Sequence, residues 1–361
     1  MKICTITCQN ADNYGARLQT YALATYLEKK GHEVKVIDYR PSYMSFKVKE
    51  WYWPGCSIKN WAKLFLQLNQ RIIQIKRHKM FDRFSQCHIP LTPRKYHSWE
   101  DLFKRPPEAD IYIAGSDQIW NTFFPNGKDP AFYLDFGDTK TKRISYAASF
   151  ATTRLAEDCA DFVQRKVMNL DHVSVRENSG LAILQELGCA GKLAADPACL
   201  LSSDQWDEIA VNPQIKNDYI LVYDFLNSPT LKKLAIRLTS LLNCKICSVG
   251  PRRLKYADKN LIYASPEEFV GLVKNARCVI SNSFHGTMFA MIYHRDFFVV
   301  KREDGLNERM VDLLGRYRLS HRLVDASVSD AVLSGQIDYQ TVKPSFDADI
   351  KSSEEFLALC L

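Results

Sequence analysis

Apolar and polar positions along this chain follow two rhythms. Short runs of period two, rich in β-branched and aromatic residues, recur as KICTIT (2–7), HEVKVIDY (32–39), DIYIAG (110–115), RISYAAS (143–149) and HVSVRE (172–177). Between them, apolar positions fall three and four apart. The stretch from Tyr14 to Lys30 sets Leu18, Ala22 and Tyr26 on one helical face, and further helices fall near 155–169 and 178–188. Such alternation predicts strand–helix–strand units with parallel strands.

After ADPACLL the rhythm restarts with YILVYDF (219–225), a helix from about Ser228 to Leu242, CKICSVG (244–250) and NLIYA (260–264). A helix from Pro266, RCVISNS (277–283), a helix through HGTMFAMIY and DFFVV (296–300) complete it. The expectation is α/β, with two successive layered domains over residues 1–200 and 217–361 and a boundary near 200–216. The C-terminal helix near SSEEFLALCL should pack across or beside the junction. The segment at about 41–105 breaks the rhythm as a basic, aromatic helical excursion. It reads either as a cover over the sheet or as a surface meeting a lipid-linked or acidic glycan, with peripheral contact to a membrane surface.

Composition narrows the field. A chain of 361 residues suits two domains, and 46% hydrophobic with 25% charged residues are globular values. The net charge of +7 favours anionic ligands, and no nucleic-acid-binding motif accompanies it. Eleven scattered cysteines read as reduced thiols of a cytoplasmic protein. The CxxC pair Cys244 and Cys247 lies within a strand pattern with no second pair or histidine cluster nearby, so no metal is expected. No secretory signal or membrane span is apparent, which predicts a soluble, intracellular protein.

In paired α/β domains, ligands bind where the carboxyl ends of the sheets face each other, so the residues just after strands are the site candidates. After the first strand, Asp12 or Asn13 can cap a helix that begins Tyr14-Gly15. The run is not GxGxxG, which disfavours a dinucleotide cofactor. After the strand at 110 come Gly115, Ser116, Asp117 and Gln118, with Trp120 as a flat face of the kind that stacks on sugars. SNSFHGTMFA (281–290) is the most informative stretch. Ser283 can cap the next helix, Gly286 and Thr287 leave its first amides accessible, and His285 stands at its mouth. A helix start of this kind binds phosphate or carboxylate, and imidazole exchanges protons near neutrality.

These stretches, taken in order, resemble the polysaccharide pyruvyl transferase family. The likeness rests on YGARLQTYAL with VIDYRP, AGSDQIWN, RISYAASF, VSVRENSG, ADPACLL, and SNSFHGTMFAMIY with FFVVKR. The resemblance implies two Rossmann-like, doubly wound domains facing across a GT-B-like cleft. It also implies transfer of pyruvate from phosphoenolpyruvate to two hydroxyls of a glycan or lipid-linked oligosaccharide, giving a cyclic ketal and phosphate in exopolysaccharide biosynthesis. It calls for no cofactor. The family's histidine falls on His285, donor contacts on Ser283, Gly286 and Thr287, and acceptor contacts on Asn13, Tyr14, Ser116, Asp117 and Trp120.

One departure stands out. Where the family carries Arg-Leu-His, this chain has Ser283, Phe284 and His285. Another cation must then meet the donor anion, from among Arg176, Arg252, Lys301, Arg302 and Arg309, of which Arg302 and Arg309 are favoured. A nucleotide-sugar glycosyltransferase of GT-B type and a non-catalytic glycan-binding protein are the competing readings.

Overall fold

A computed structural model describes residues 1–44, 58–215, 218–302 and 307–361. Its first sheet contains β1 (Lys2–Ile6), β2 (Glu33–Tyr39), β3 (Leu91–Tyr96), β4 (Ile111–Ala114) and β5 (Lys142–Ser145), all parallel, in the order β3-β2-β1-β4-β5. A short parallel pair, β6 (Ser174–Val175) and β7 (Lys192–Leu193), follows the β5 side through bridges Ile144–His172 and Ala148–Val175. The second sheet contains β8 (Tyr219–Tyr223), β9 (Lys245–Val249), β10 (Lys259–Leu261), β11 (Cys278–Ser281), β12 (Asp296–Val300) and β13 (Leu323–Val324). It is also parallel, ordered β10-β9-β8-β11-β12-β13. Every residue of β8 and β11 is buried, as expected for strands covered on both faces.

The first half carries α1 (Tyr14–Lys29), α2 (Ile58–His88), α3 (Trp99–Lys104), α4 (Ala160–Val167), α5 (Asn178–Glu186) and α6 (Ser203–Asp207). The second carries α7 (Pro229–Leu242), α8 (Pro266–Lys274), α9 (Phe284–Ile292), α10 (Glu308–Arg316), α11 (Asp330–Ser334) and α12 (Tyr339–Cys360). Their starts obey local chemistry. Ser228 and Ser265 cap helices with proline in the first turn, and Ser265 forms a reciprocal box with Glu268.

A single apolar layer joins the two halves: Tyr14 and Leu18 of α1, Trp206 of α6, Phe269 and Val273 of α8 and Phe289 of α9 all belong to it. The Tyr14 ring stacks on Phe269 with centroids 4.5 Å apart, and its hydroxyl donates to the Ala264 carbonyl at 2.9 Å. Helix α12 crosses between halves. At its start Tyr339 donates to the Arg295 carbonyl (2.6 Å), and near its end Ser353 Oγ accepts from the Ala195 amide (2.8 Å).

Three sequence expectations need correction. Within 41–105, α2 is accompanied by α3 and by β3, a strand that the helical reading missed; residues 45–57 of that segment lie outside the described residues. Pro93 and the basic pair after it hide β3, yet proline is tolerated because β3 lies at the sheet edge. RISYAAS pairs as a strand only through Ser145, and Ala147, at φ 51°, bends the chain away. HVSVRE shortens to two strand residues. Cys244 and Cys247 belong to apolar layers on opposite faces of the second sheet, so their thiols do not converge.

Candidate functional site

In each sheet the winding direction reverses beside the first strand, between β1 and β4 and again between β8 and β11. Loops leaving the strands there diverge and open a crevice. The two crevices meet in one cavity of about 280 Å³. Asn13 comes from the loop after β1, Asp117 and Gln118 from that after β4, Phe225 and Leu226 from that after β8. Asn282, Ser283, Phe284 and His285 follow β11, Arg302 follows β12, and Arg309 reaches in from α10.

Two helices begin at this cavity. Asn13 caps α1 by accepting from the Ala16 amide (3.3 Å), and Ser283 caps α9 by accepting from the Gly286 amide (3.3 Å). Both positive helix ends therefore face the space that Arg302 and Arg309 line. Burial, and then the neighbouring Arg176, pull Arg309 down to about 10, so it remains charged at neutral pH. Its two terminal nitrogens lie 2.9 and 2.8 Å from the Gln118 carboxamide, whose oxygen accepts both in the orientation that satisfies both groups. Its hydrogen-bond partner is a neutral amide, and Glu177 and Asp117 act on its charge from nearby, so the half-buried guanidinium remains available to an anion in the cavity. Asp117 holds φ at 80°, an uncommon backbone state that fixes its carboxylate at the cavity wall.

The helix starts touch through His285 and Gly15. A Cβ at residue 15 would fall 2.0 Å from His285 Nδ1, so only glycine lets the ring lie against α1. On the other side, His285 Nε2 is sealed from solvent, 3.4 Å from Asp196 Oδ2.

Asp196, from ADPACLL, is wholly buried. Its Oδ2 accepts from Arg176 Nη1 at 2.7 Å and from Ser116 Oγ at 3.4 Å, and its Oδ1 accepts from the Ala198 amide at 3.0 Å. Burial alone would raise this carboxyl, but His285, Arg176 and the Ala198 amide outweigh it and hold Asp196 well below the usual carboxylate range. Phe284 lies over the Arg176 guanidinium at 4.3 Å, and Arg176 Nε and Nη2 are buried with no hydrogen-bond acceptor among the described residues.

Of the residues named from sequence, Asn13, Asp117, Ser283, His285, Arg302 and Arg309 line the one cavity. Others sit behind its walls. Trp120 is fully enclosed, stacked on Tyr133 at 5.4 Å and donating to the Phe132 carbonyl, so its face cannot meet a sugar. Tyr14 is an interdomain core residue. Ser116 is buried beside Asp196 and Arg176. Gly286 and Thr287 lie in the buried first turns of α9, where the Gly286 amide is taken by Ser283 and the Thr287 amide bonds the Ser283 carbonyl. The amide access expected of them is thus used up within the helix. Among the other cations considered, exposed Lys301 pairs with Asp325 at 3.3 Å, and Arg252 is exposed away from the cavity.

The β1–α1 loop is braced from beneath. Buried Arg17 donates to the Ala11 carbonyl at 3.0 Å and to Ser85, and His78 Nδ1 lies 2.9 Å from Asp12. The Asp12 hydrogen bond raises His78 above its ordinary value. A raised folded pKa gives stability that is complete below the unfolded value of about 6.5 and lost as pH climbs through the folded one. His78→Gln should therefore destabilise the protein more at about pH 5.5 than at about pH 9. Urea melts showing equal losses at both would refute that linkage.

Fold and site together define an α/β protein of two Rossmann-like domains with a cleft built at the carboxyl ends of both sheets, the GT-B arrangement. A putative UDP-N-acetylglucosamine 2-epimerase from Listeria monocytogenes superposes with TM-score 0.54 at 10% identity, covering 97% of this chain and 90% of that one. The UDP-GlcNAc 2-epimerase from Methanocaldococcus jannaschii gives 0.51 at 12% identity over 99% of each chain. At such identities the likeness is one of fold. In sequence, the polysaccharide pyruvyl transferase family profile matches residues 13–304, and the chain belongs to that family of transferases. No curated protein matches it in sequence. Among the described residues, no helix is long and apolar enough to cross a membrane.

Proposed function

We propose that this protein moves pyruvate from phosphoenolpyruvate to two hydroxyls of a glycan sugar, forming a cyclic ketal and releasing phosphate. The observation that carries the reading is the convergence of two helix N-termini and two arginines on one small cavity that also holds a histidine. Phosphoenolpyruvate bears a phosphate and a carboxylate within a few ångströms, and such a site neutralises both.

The steps balance without a redox partner. A proton adds to the methylene carbon and leaves an oxocarbenium-like centre at C2. A sugar hydroxyl adds there and gives up its proton, the C2–O bond to phosphate breaks, and the second hydroxyl closes the ring with loss of its own proton. His285 serves the hydroxyl deprotonation, Arg302 and Arg309 hold the donor's anionic groups, and Asp117 and Asn13 accept and donate hydrogen bonds to the sugar. Exposed Phe225 and Leu226 supply the apolar rim that Trp120 cannot.

Arg309→Ala should weaken phosphoenolpyruvate binding by about 1.5–3 kcal/mol, the range for hydrogen bonds to charged groups, with Arg302→Ala in the same direction. Thermal melts against phosphoenolpyruvate, phosphate and nucleotide diphosphate sugars read this, because a ligand that binds only the folded state raises the melting temperature. Stabilisation by a nucleotide diphosphate sugar alone would replace the proposal with a glycosyltransferase. Glycan binding with no phosphate release from any donor would make the protein a lectin-like binder.

A further inference from the structure

We propose that Asp196 is a positioning residue for His285, fixing the imidazole proton on Nε2 so that Nδ1 is the nitrogen presented as base to the acceptor hydroxyl. The inference rests on the reading of His285 as a proton-transfer group and adds which nitrogen acts and what decides it.

Asp196 has little freedom. It caps the short turn Pro197–Leu200 through the Ala198 amide, and Arg176 Nη1 grips its other oxygen at 2.7 Å. Its carboxylate is thus held by a backbone amide on one oxygen and a guanidinium on the other. His285 Nε2 lies 3.4 Å from Asp196 Oδ2, sealed from solvent, and among the described residues it forms no hydrogen bond. An ionised carboxylate only accepts, so the nitrogen that faces it must carry the proton. At 3.4 Å the pair is within reach but not aligned as a formed hydrogen bond, as is common at catalytic pairs before substrate binds.

The opposite nitrogen is then fixed by elimination. Nδ1 lies on the α1 side of the ring, against Gly15, which offers no Cβ to cover it; Nε2 is the sealed nitrogen, and His285 itself lines the cavity. With its proton on Nε2, neutral His285 carries a lone pair on Nδ1 and takes the acceptor's proton as the oxygen adds to C2. The resulting imidazolium keeps its Nε2–H on Asp196, which offsets the new charge without itself being protonated. Arg176 keeps the carboxylate ionised and in place, which accounts for a buried arginine that does not line the cavity.

Imidazole nitrogen-15 spectra of the wild-type protein test the assignment directly. Loss of one signal set in His285→Asn identifies His285 among the 8 histidines. The expected result is that the neutral form of the ring carries its proton on Nε2. A proton on Nδ1 would overturn the proposal, whatever any variant does. Asp196→Ala should lose the tautomer preference and at least about 100-fold in kcat while phosphoenolpyruvate binding stays within about twofold. Asp196→Asn keeps an oxygen to accept from Nε2 and should recover part of both. If Asp196→Ala lowers kcat and donor binding together with the tautomer unchanged, Asp196 is structural only. The Nε2–H signal together with full phosphate release by His285→Asn would leave the positioning intact and sink the catalytic role of His285.

Discussion

His285→Asn is expected to fold, to bind phosphoenolpyruvate near normally, and to lose about 10²- to 10⁴-fold in turnover, the usual worth of a general acid or base. Anion binding should survive because Ser283, the α9 start, Arg302 and Arg309 are untouched. Asp196 keeps Arg176 and the Ala198 amide, so the buried carboxylate is not stranded, while the asparagine amide exchanges no proton near neutrality. Measuring phosphate release beside a donor titration separates the two functions. A variant that keeps turnover would make the histidine a packing residue wedged between α1 and α9.

Gly15→Ala is the second large effect. A methyl 2.0 Å from Nδ1 and 2.2 Å from Cγ of His285 cannot be absorbed by a side-chain tip, because the obstacle is the ring itself. Either the imidazole leaves its place or α1 shifts against α9. We expect a stability loss of about 1–3 kcal/mol from overpacking and a turnover loss approaching that of His285→Asn. The double variant checks the cause. With His285→Ala already present the methyl has room, and Gly15→Ala should then cost little further stability. Additive losses would place the strain elsewhere in the α1 loop.

Strand positions were legible because fully buried parallel strands leave unbroken apolar runs; DFFVV and the core of YILVYDF pair as their pattern predicts. Ser283 and Asn13 were legible as caps because capping is local chemistry. Asp196 was not. Asp-Pro at the start of a short turn already accounts for the aspartate, and the 89 positions separating it from His285 carry no mark that the two meet. Arg176 appeared only as one cation among several, since its sequence gives no sign that Phe284 covers it. Trp120 misled for the opposite reason. An aromatic after a polar strand end reads alike whether it faces a sugar or Tyr133, and only the packing of the turn Pro130–Tyr133 decides.

Tyr14 and the apolar layer around it bear on how this protein can be taken apart. Domains joined by a small polar interface move freely and transplant easily, whereas these two share one continuous core. Its parts from α1, α6, α8 and α9 are interlocked, and the Tyr14 hydroxyl ties the first half to the Ala264 backbone of the second. A chimera spliced between the two sheets, at about residues 208–215, would mismatch the seam that sets the cleft. Recombination among relatives should therefore succeed only when α1 travels with α8 and α9, so that the unit of inheritance for this cleft is the seam and not the domain.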